Sequence, residues 1–548
     1  MASAGPRSGG GRWAVLALLG VAQLMVVLDA TIVNIALPSA QRALGFSTDS
    51  RQWVVTAYAL AFGSLLLLGG KLGDLFGRKW TFVAGLIGFA IASAIGGLAQ
   101  SFGMLVAARA LQGAFGALLA PSALSLLTVT FAGSPDRAKA FGIFGAIAGG
   151  GASVGLILGG VLTQELSWRW CLYVNLLIAL PTVVVALRLL QNHPPDGRPH
   201  IDIPGVLLAC GGLFALVYGF SNAETHSWTT PLTIIALGAS VTLLAAFVMV
   251  ERRRKDPLLA LHIIMDRARG GAYLSIALAG AGVFAVFLFL TYYLQQNLGF
   301  SPVKTGLSFL PLTAVLVLTS TTVQTKVLYR TGARPLVATG MTLGVIAMLL
   351  LTRLAPNASY TSHVLPSLLV IGLGMGCIFA PAFSTATLGV DGSEAGVASA
   401  MVNTSQQVGG SVGTALLSTL FASSAATYAS SHVGAPGLQN AAAIHGYTTA
   451  FSWAAGIFGL GLLLALLILP AVHAREPTRQ REEPVYDGAV AATSGAVSAV
   501  PVLVTGPCCH FGMAAAGDVI ARARAHVDTT GVTIDAESIL AARDADRR

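Results

Sequence analysis

Gly70-Lys71-Leu72-Gly73-Asp74-Leu75-Phe76-Gly77-Arg78-Lys79 stands between two apolar runs, at about 52–70 and 80–99. Four ionisable side chains in ten residues are conspicuous in a 548-residue chain that is 55% hydrophobic and 10% charged, with a mean hydropathy of +0.75. A soluble chain is nearer a quarter charged; here lipid has to cover the apolar surface. Outward from that stretch the alternation repeats. Apolar runs lie at roughly 13–37, 52–70, 80–99, 103–126, 139–162, 170–190, 203–220, 231–250, 271–296, 305–325, 335–353, 363–386, 396–422 and 448–472. That is about fourteen, each close to the ~20 residues a spanning helix needs and too long and uniform for barrel strands. The expected class is an all-α membrane protein. Arg7 and Arg12 ahead of the first run imitate a signal peptide, but the run passes Asp29 and reaches Pro38. It is too long for a cleaved leader and reads as an uncleaved first helix.

Charge placement orients the spans. With the N-terminus inside, the inner loops hold Lys71, Arg78 and Lys79; Arg137 and Lys139; Arg188 and Arg198; Arg252, Arg253, Arg254, Lys255, Arg267 and Arg269; and Lys326, Arg330 and Arg334. The outer loops hold Arg42, Arg51, Arg169, Lys304 and Arg353, a bias of about threefold toward the inside. A miscounted helix would invert the bias from that point on. The loop at 387–395 carries Asp391, Glu394 and no base, but acidic residues contribute little to this rule. The net charge of +9 is thus spread over short loops rather than one face, which argues against a nucleic-acid partner. Of five cysteines, Cys171, Cys210 and Cys377 sit in apolar runs and Cys508 and Cys509 in the tail, with no metal-ligand spacing and no disulfide framework.

The stretch 70–79 resembles the signature loop of the major facilitator superfamily, Gly-x-Leu-x-Asp-Arg-x-Gly-Arg-Arg/Lys, with Leu75 where many members have arginine. Glycines permit close packing and tight turns, an aspartate caps a helix or pairs with a base, and an arginine offers a bidentate fork. The resemblance implies a cytoplasmic gate built by Gly70, Asp74, Gly77, Arg78 and Lys79. A fainter copy, Lys326-Val327-Leu328-Tyr329-Arg330-Thr331-Gly332-Ala333-Arg334, lies 255 residues on and aligns Gly332 with Gly77 and Arg334 with Lys79. Two homologous six-helix halves follow, with the spans at 203–220 and 231–250 inserted between them.

Further stretches resemble the 14-span drug:proton antiporter branch of that family. They are Leu28-Asp29-Ala30-Thr31-Ile32-Val33-Asn34-Ile35-Ala36-Leu37-Pro38; Arg109-Ala110-Leu111-Gln112-Gly113-Ala114-Phe115-Gly116; and Gly151-Ala152-Ser153-Val154-Gly155-Leu156-Ile157-Leu158-Gly159-Gly160. Trp168-Arg169-Trp170, Asn175 and Pro181, then Asn403, Gln407, Gly409, Gly410 and Gly413, are also branch-like. The antiporter-helix glycines are Gly151, Gly155, Gly159 and Gly160, but Leu156 replaces the usual proline, so the fifth helix is expected to be straighter. The domain expectation is a cytoplasmic N-terminus (1–12), an N-terminal half (13–190), the two-helix insert with its loops (191–270), a C-terminal half (271–472) and a cytoplasmic tail (473–548) with little fixed structure. Within the tail, 514–526 has the composition of a short helix.

Asp29 and Arg109 are the ionisable residues expected well inside the spans, and each is a functional candidate on cost alone. Asp29 lies ~12 Å and Arg109 ~9 Å from the outer ends of their helices. They are expected to face one cavity and to interact, either as a proton-coupling pair, with Asp29 the acceptor, or as a structural salt bridge. Asn34, Gln112, Tyr292, Tyr293, Gln296, Phe379 and Asn403 are the candidate cavity residues, the aromatics suiting bulky apolar ligands.

Other chemistries fit poorly. Gly151-Ala152-Ser153-Val154-Gly155 matches a nucleophile elbow but lies in an apolar helix with no strand and no histidine partner. Gly70-Lys71 is followed by Leu72, so no phosphate loop and no direct use of ATP is expected, and the ten histidines form no HExxH. The expectation is therefore no enzyme and no cofactor. Instead the resemblance implies a monomeric exporter in a bacterial plasma membrane, both termini cytoplasmic, exchanging small organic molecules for protons. The alternatives are a proton-coupled importer and a non-transporting sensor on the same fold.

Overall fold

The computed structural model describes residues 9–46, 52–191, 202–254, 257–355, 358–433 and 437–471. Contacts divide the chain into Met1–Arg479 and Gln480–Arg548, and the second unit, with the expected tail and its helix at 514–526, lies outside the described residues. The described residues contain helices and no strand. Among the described residues, fourteen helices have the length and apolarity to span: Gly11–Val33, Trp53–Phe76, Arg78–Gly97, Phe102–Thr130, Arg137–Glu165, Trp170–Leu189, Ile203–Ala223, Pro231–Glu251, Arg267–Asn297, Val303–Val327, Ala333–Leu351, Tyr360–Ala386, Gly392–Ser431 and Leu438–Ile468. They are numbered here as the first to fourteenth spans.

Several helices outrun their apolar segments, the thirteenth and fourteenth furthest at one end. The thirteenth continues to Ser431 and the fourteenth starts at Leu438. Both extensions are rich in Ala, a strong helix former, and they support each other. Phe421 stacks on Tyr447 at 5.0 Å, Tyr428 on His445 at 4.9 Å, and Ser424 bonds Thr449 at 2.8 Å. A hydropathy window cannot register such pairing, because the residues are small or polar. The five-residue helix Leu261–Met265 between the eighth and ninth spans was also not expected.

The packing repeats. In the first half the first span packs on the fourth, fifth and sixth, the second on the fourth, and the third on the fourth and sixth. Ninth on twelfth, thirteenth and fourteenth, tenth on twelfth, and eleventh on twelfth and fourteenth reproduce each pair. The halves meet where second touches thirteenth, fifth touches tenth and twelfth, and fourth touches thirteenth. The seventh and eighth spans pack on each other, and the seventh lies against both the second and the thirteenth. The insert therefore covers one seam between the halves. Large apolar side chains of the sixth span (Leu177, Leu180) and of the insert (Leu207, Ile234, Ile235, Val241) are exposed, as a lipid-facing surface requires. The faint sequence repeat is also conformational. Gly77 (φ 94°) and Gly332 (φ 79°) both hold a positive φ immediately before the next helix, a backbone that glycine adopts without a Cβ penalty.

The fifth span is the hub. Across one face, Gly151 faces Leu24 and Val27, Gly155 faces Leu28 and Thr31, and Gly159 faces Ile32, all of the first span. On another face Gly160 meets Val303 of the tenth. The helix runs unbroken from Arg137 to Glu165 through the buried Leu156. Gly155→Val is expected to force the first span away, because its new Cβ would meet Thr31 Oγ1 and lie 3.0 Å from the Leu28 carbonyl oxygen. Backbone cannot swing aside as a rotamer does, so a loss of at least about 1–3 kcal/mol follows, read as a lower melting temperature in detergent together with lost transport.

Candidate functional site

The charges inside the bundle are neutralised by one another. Arg109 Nη1 on the fourth span donates to Asp29 Oδ2 on the first at 2.6 Å. The same nitrogen reaches Gln112 Oε1 at 2.8 Å, one turn further along the fourth span. Gln112 Nε2 donates to Asp29 Oδ1 at 3.0 Å and to Ser93 Oγ on the third span at 2.7 Å. Asn175 Nδ2 on the sixth span donates to Asp29 Oδ1 at 2.7 Å. Arg109 also donates through Nε to the Val54 carbonyl at 3.4 Å, and its guanidinium carbon lies 4.3 Å from the centre of the Tyr58 ring, both on the second span. Asp29, Arg109, Gln112, Asn175 and Ser93 each expose 1% or less of their surface.

Helical spacing explains the convergence. Arg109 and Gln112 are three apart and so share a face. Five helices of the first half aim polar groups at one point, and the carboxylate accepts three donors. A buried carboxylate is tolerable only when so surrounded. Asp29 and Arg109, expected to face one cavity and to interact, are in direct contact but sealed from any cavity. Val54 is near the start of Gln52–Phe76, and Asn175 stands in the second turn of Trp170–Leu189. Both starts lie opposite the end that carries 70–79, so the cluster sits toward that opposite end.

The stretch 70–79 is bonded to the start of the thirteenth helix. Asp74 Oδ1 accepts from Arg78 Nη2 at 2.8 Å and from Gly396 N at 3.0 Å, and Oδ2 accepts from Val397 N at 3.2 Å. Gly396 and Val397 are in the first turn of the thirteenth helix, where free amides and the helix dipole favour an anion. Arg78 donates further to the Gly392 carbonyl, and Lys79 Nζ to the Leu187 carbonyl at 2.9 Å. Gly70 lies so close to Gly396 and Ala400 that a Cβ would meet the Ala400 Cβ at 2.7 Å. A parallel contact was invisible in sequence, where Arg137 counted only as a loop base. Its Nη2 reaches Thr387 Oγ1 at 3.1 Å, joining the start of the fifth span to the end of the twelfth. Both contacts tie the two halves together at the basic end.

Asp74→Ala removes two bonds to helix-start amides, equivalent to losing an N-cap worth about 0.5–2 kcal/mol. Faster maleimide labelling of a cysteine placed at the buried Leu67 is the expected result, with Asp74→Asn intermediate.

The candidate cavity residues do not form one cluster. Gln112 is sealed in the charge cluster. Tyr293 is buried, with its hydroxyl on the Ala355 carbonyl at 3.0 Å, whereas Tyr292 and Gln296 are exposed beside it. Phe379 is buried in the seam between the halves, 5.7 Å from Phe383 and close to Gly149. Asn403 is half-buried and donates to the Ser399 carbonyl at 3.0 Å. Asn34 lies on the first helix, two turns beyond the residues that Gly151 faces. Hydropathy could not separate these environments, because aromatic and amide side chains occur in all of them. Asn175, Ser93 and Tyr58 were missed as site residues; the small amide at 175 in an otherwise apolar run was the available signal.

The sequence model of the Major Facilitator Superfamily matches residues 19–414. The chain is 48% identical to the puromycin resistance protein pur8 of Streptomyces alboniger over 84% of this chain and 91% of that protein. It is 37% identical to the cephamycin export protein CmcT of Amycolatopsis lactamdurans, over 84% and 93%. The crystal structure of the human organic anion transporter MFSD10 (TETRAN) superposes with a TM-score of 0.57 at 17% identity, covering 83% of this chain and 99% of that one. That likeness concerns the fold alone. With fourteen spans, paired six-helix halves and a matched signature loop, the chain belongs to the major facilitator superfamily, as a transporter rather than an enzyme.

Proposed function

We infer that the protein exports small organic molecules across a bacterial plasma membrane, by alternating access, in exchange for protons. The basic end faces the cytoplasm with both termini, the halves 13–190 and 271–472 rock about their seams, and the insert with its loops (191–270) rides on one of them. Resistance and export by the relatives support the direction and suggest an antibiotic-like cargo, with puromycin the first probe.

The observation that carries the exchange is the Asp29–Arg109 pair with its spare ligands. A proton arriving at Asp29 Oδ2 displaces the guanidinium from that oxygen. Arg109 then still has Gln112 Oε1, the Val54 carbonyl and the Tyr58 ring face. The cation is thus not abandoned when its counter-ion is neutralised, which lets the proton come and go at moderate cost. Sealed as it is, the pair must be uncovered by movement of the first or fourth span. The first span is held by Gly151, Gly155 and Gly159 and the fourth touches the thirteenth, so uncovering and rocking share parts. The latch at Asp74 and Arg78 holds the cytoplasmic side shut meanwhile.

The test uses inverted vesicles, in which export appears as uptake. An acid interior is expected to drive labelled puromycin inward, and each molecule taken up releases protons from the lumen. Uptake that ignores a protonophore would remove the exchange. Uptake only into right-side-out vesicles would reverse the direction.

A further inference from the structure

The insert carries two acids that the exchange does not use. Asp202 precedes the seventh span and Glu251 closes the eighth, with 8% and 4% of their surfaces exposed. They face each other across Gly205, where an added Cβ would meet Glu251 Oε1 at 2.5 Å and Asp202 Oδ2 at 2.6 Å. Among the described residues, those two oxygens and Asp202 Oδ1 have no hydrogen-bond donor. Glu251 Oε2 accepts from Leu259 N at 3.3 Å. The nearest described cation is Arg254, 3.6 Å from Asp202 Oδ1 and itself half exposed. Arg252 and Arg253 beside it are exposed. Across the loop, Lys71 Nζ is engaged by the Pro257 carbonyl at 3.0 Å, His262 by Glu394 at 3.2 Å, and Arg78 by Asp74. Ionised carboxylates only accept, so two of them cannot bond each other; one proton converts the pair into donor and acceptor.

We propose that Asp202 and Glu251 form a binding site for one shared proton, separate from the Asp29–Arg109 cluster, whose occupancy stabilises the closed basic end. The loop over the pair is part of the gate wall. Leu258 and Leu259 pack in one cluster with Leu67 of the second span, Val397 and Ala400 of the thirteenth, and Leu213 and Phe247 of the insert. Parting of the second and thirteenth spans breaks that cluster and lets water reach the carboxyls. Loss of the proton then leaves two like charges side by side, which resist being buried again. The proton leaves for water; nothing else is transferred. The site does not depend on the exchange reading, since such a latch would serve any transport mode.

The experiment uses the full chain in lipid nanodiscs, with Glu251→Gln and Asp202→Asn. An amide can donate where the shared proton would, so both variants are expected to fold. The folded wild type holds the proton more tightly than the unfolded chain, so this stability is present in acid and is lost as pH rises. Between about pH 5 and pH 8 the wild type should lose an infrared carboxyl C=O band and melt at a lower temperature. In either variant that band should be missing and that fall in melting temperature removed. Asp29→Asn should keep both effects, which separates this site from the exchange cluster. Spin labels replacing the exposed Phe76 and Leu388, in a cysteine-free background, should separate with rising pH in the wild type and not in the variants. Band and pH slope surviving in both variants would overturn the proposal. So would failure of both to fold, or lower stability than wild type at both pH values, since either shows a pair held fully charged by Arg254.

Discussion

Replacing Arg109 by methionine is expected to abolish transport and to cost about 3–5 kcal/mol of stability, the range for breaking one side of a buried ion pair. The reason is Asp29, which would keep its charge and two amide donors while losing the 2.6 Å contact that neutralises it. Methionine fills much of the volume, so the loss is electrostatic rather than a cavity effect. The pairing with Asp29→Asn makes the test stringent. Removing both charges should recover most of the stability, because a neutral, well-filled site is often no worse than a buried pair. Transport should stay absent. Thermal melts of the two single variants and the double variant read the coupling directly. Arg109→Lys should fail for transport as well, since one ammonium cannot satisfy Asp29, Gln112, the Val54 carbonyl and the Tyr58 ring face together.

Asp29→Asn alone should reduce proton-driven efflux to the level of vesicles lacking the protein, while exchange of labelled for unlabelled substrate persists. Asparagine keeps the shape and one acceptor for Gln112 and Asn175, but it can neither take up a proton nor neutralise Arg109. In the proposed exchange, binding of substrate and movement between states do not need that proton; net work does. Assays of efflux against substrate exchange in the same vesicles separate the two. Full efflux in Asp29→Asn would take the proton site away from Asp29 and leave its pair with Arg109 as architecture.

Much of the candidate site was legible because it violates the composition around it. A carboxylate and a guanidinium in apolar runs are expensive and therefore visible, and the signature loop is visible by its charge density. The partners that make the charges bearable were less so. Ser93, Asn175 and Tyr58 are ordinary residues whose importance comes from pointing at one place. The second acidic pair was not anticipated, since Asp202 and Glu251 fall at the rims of their spans, where charge excites no suspicion. Only packing against Leu258, Leu259 and Gly205 shows them to be buried. The cavity residues Tyr292, Tyr293, Gln296, Phe379 and Asn403 mark the limit, because an aromatic or amide on a helix reads alike whether it meets lipid, core or seam.

The number of spans, their alternation and the two-half repeat follow from the sequence by itself. Hydrocarbon thickness and the cost of burying charge act on each segment separately, and a local property can be read locally. Gly77 and Gly332 belong to this class, since the φ each adopts is a demand of its own turn. Tertiary structure alone decided which faces meet. It set Gly151, Gly155 and Gly159 against the first span, Asp74 on the amides of Gly396 and Val397, and the insert across the seam of the second and thirteenth spans. Contacts between residues 322 positions apart depend on how whole helices pack, and in lipid that choice rests on close approach and hydrogen bonds rather than on hydrophobicity.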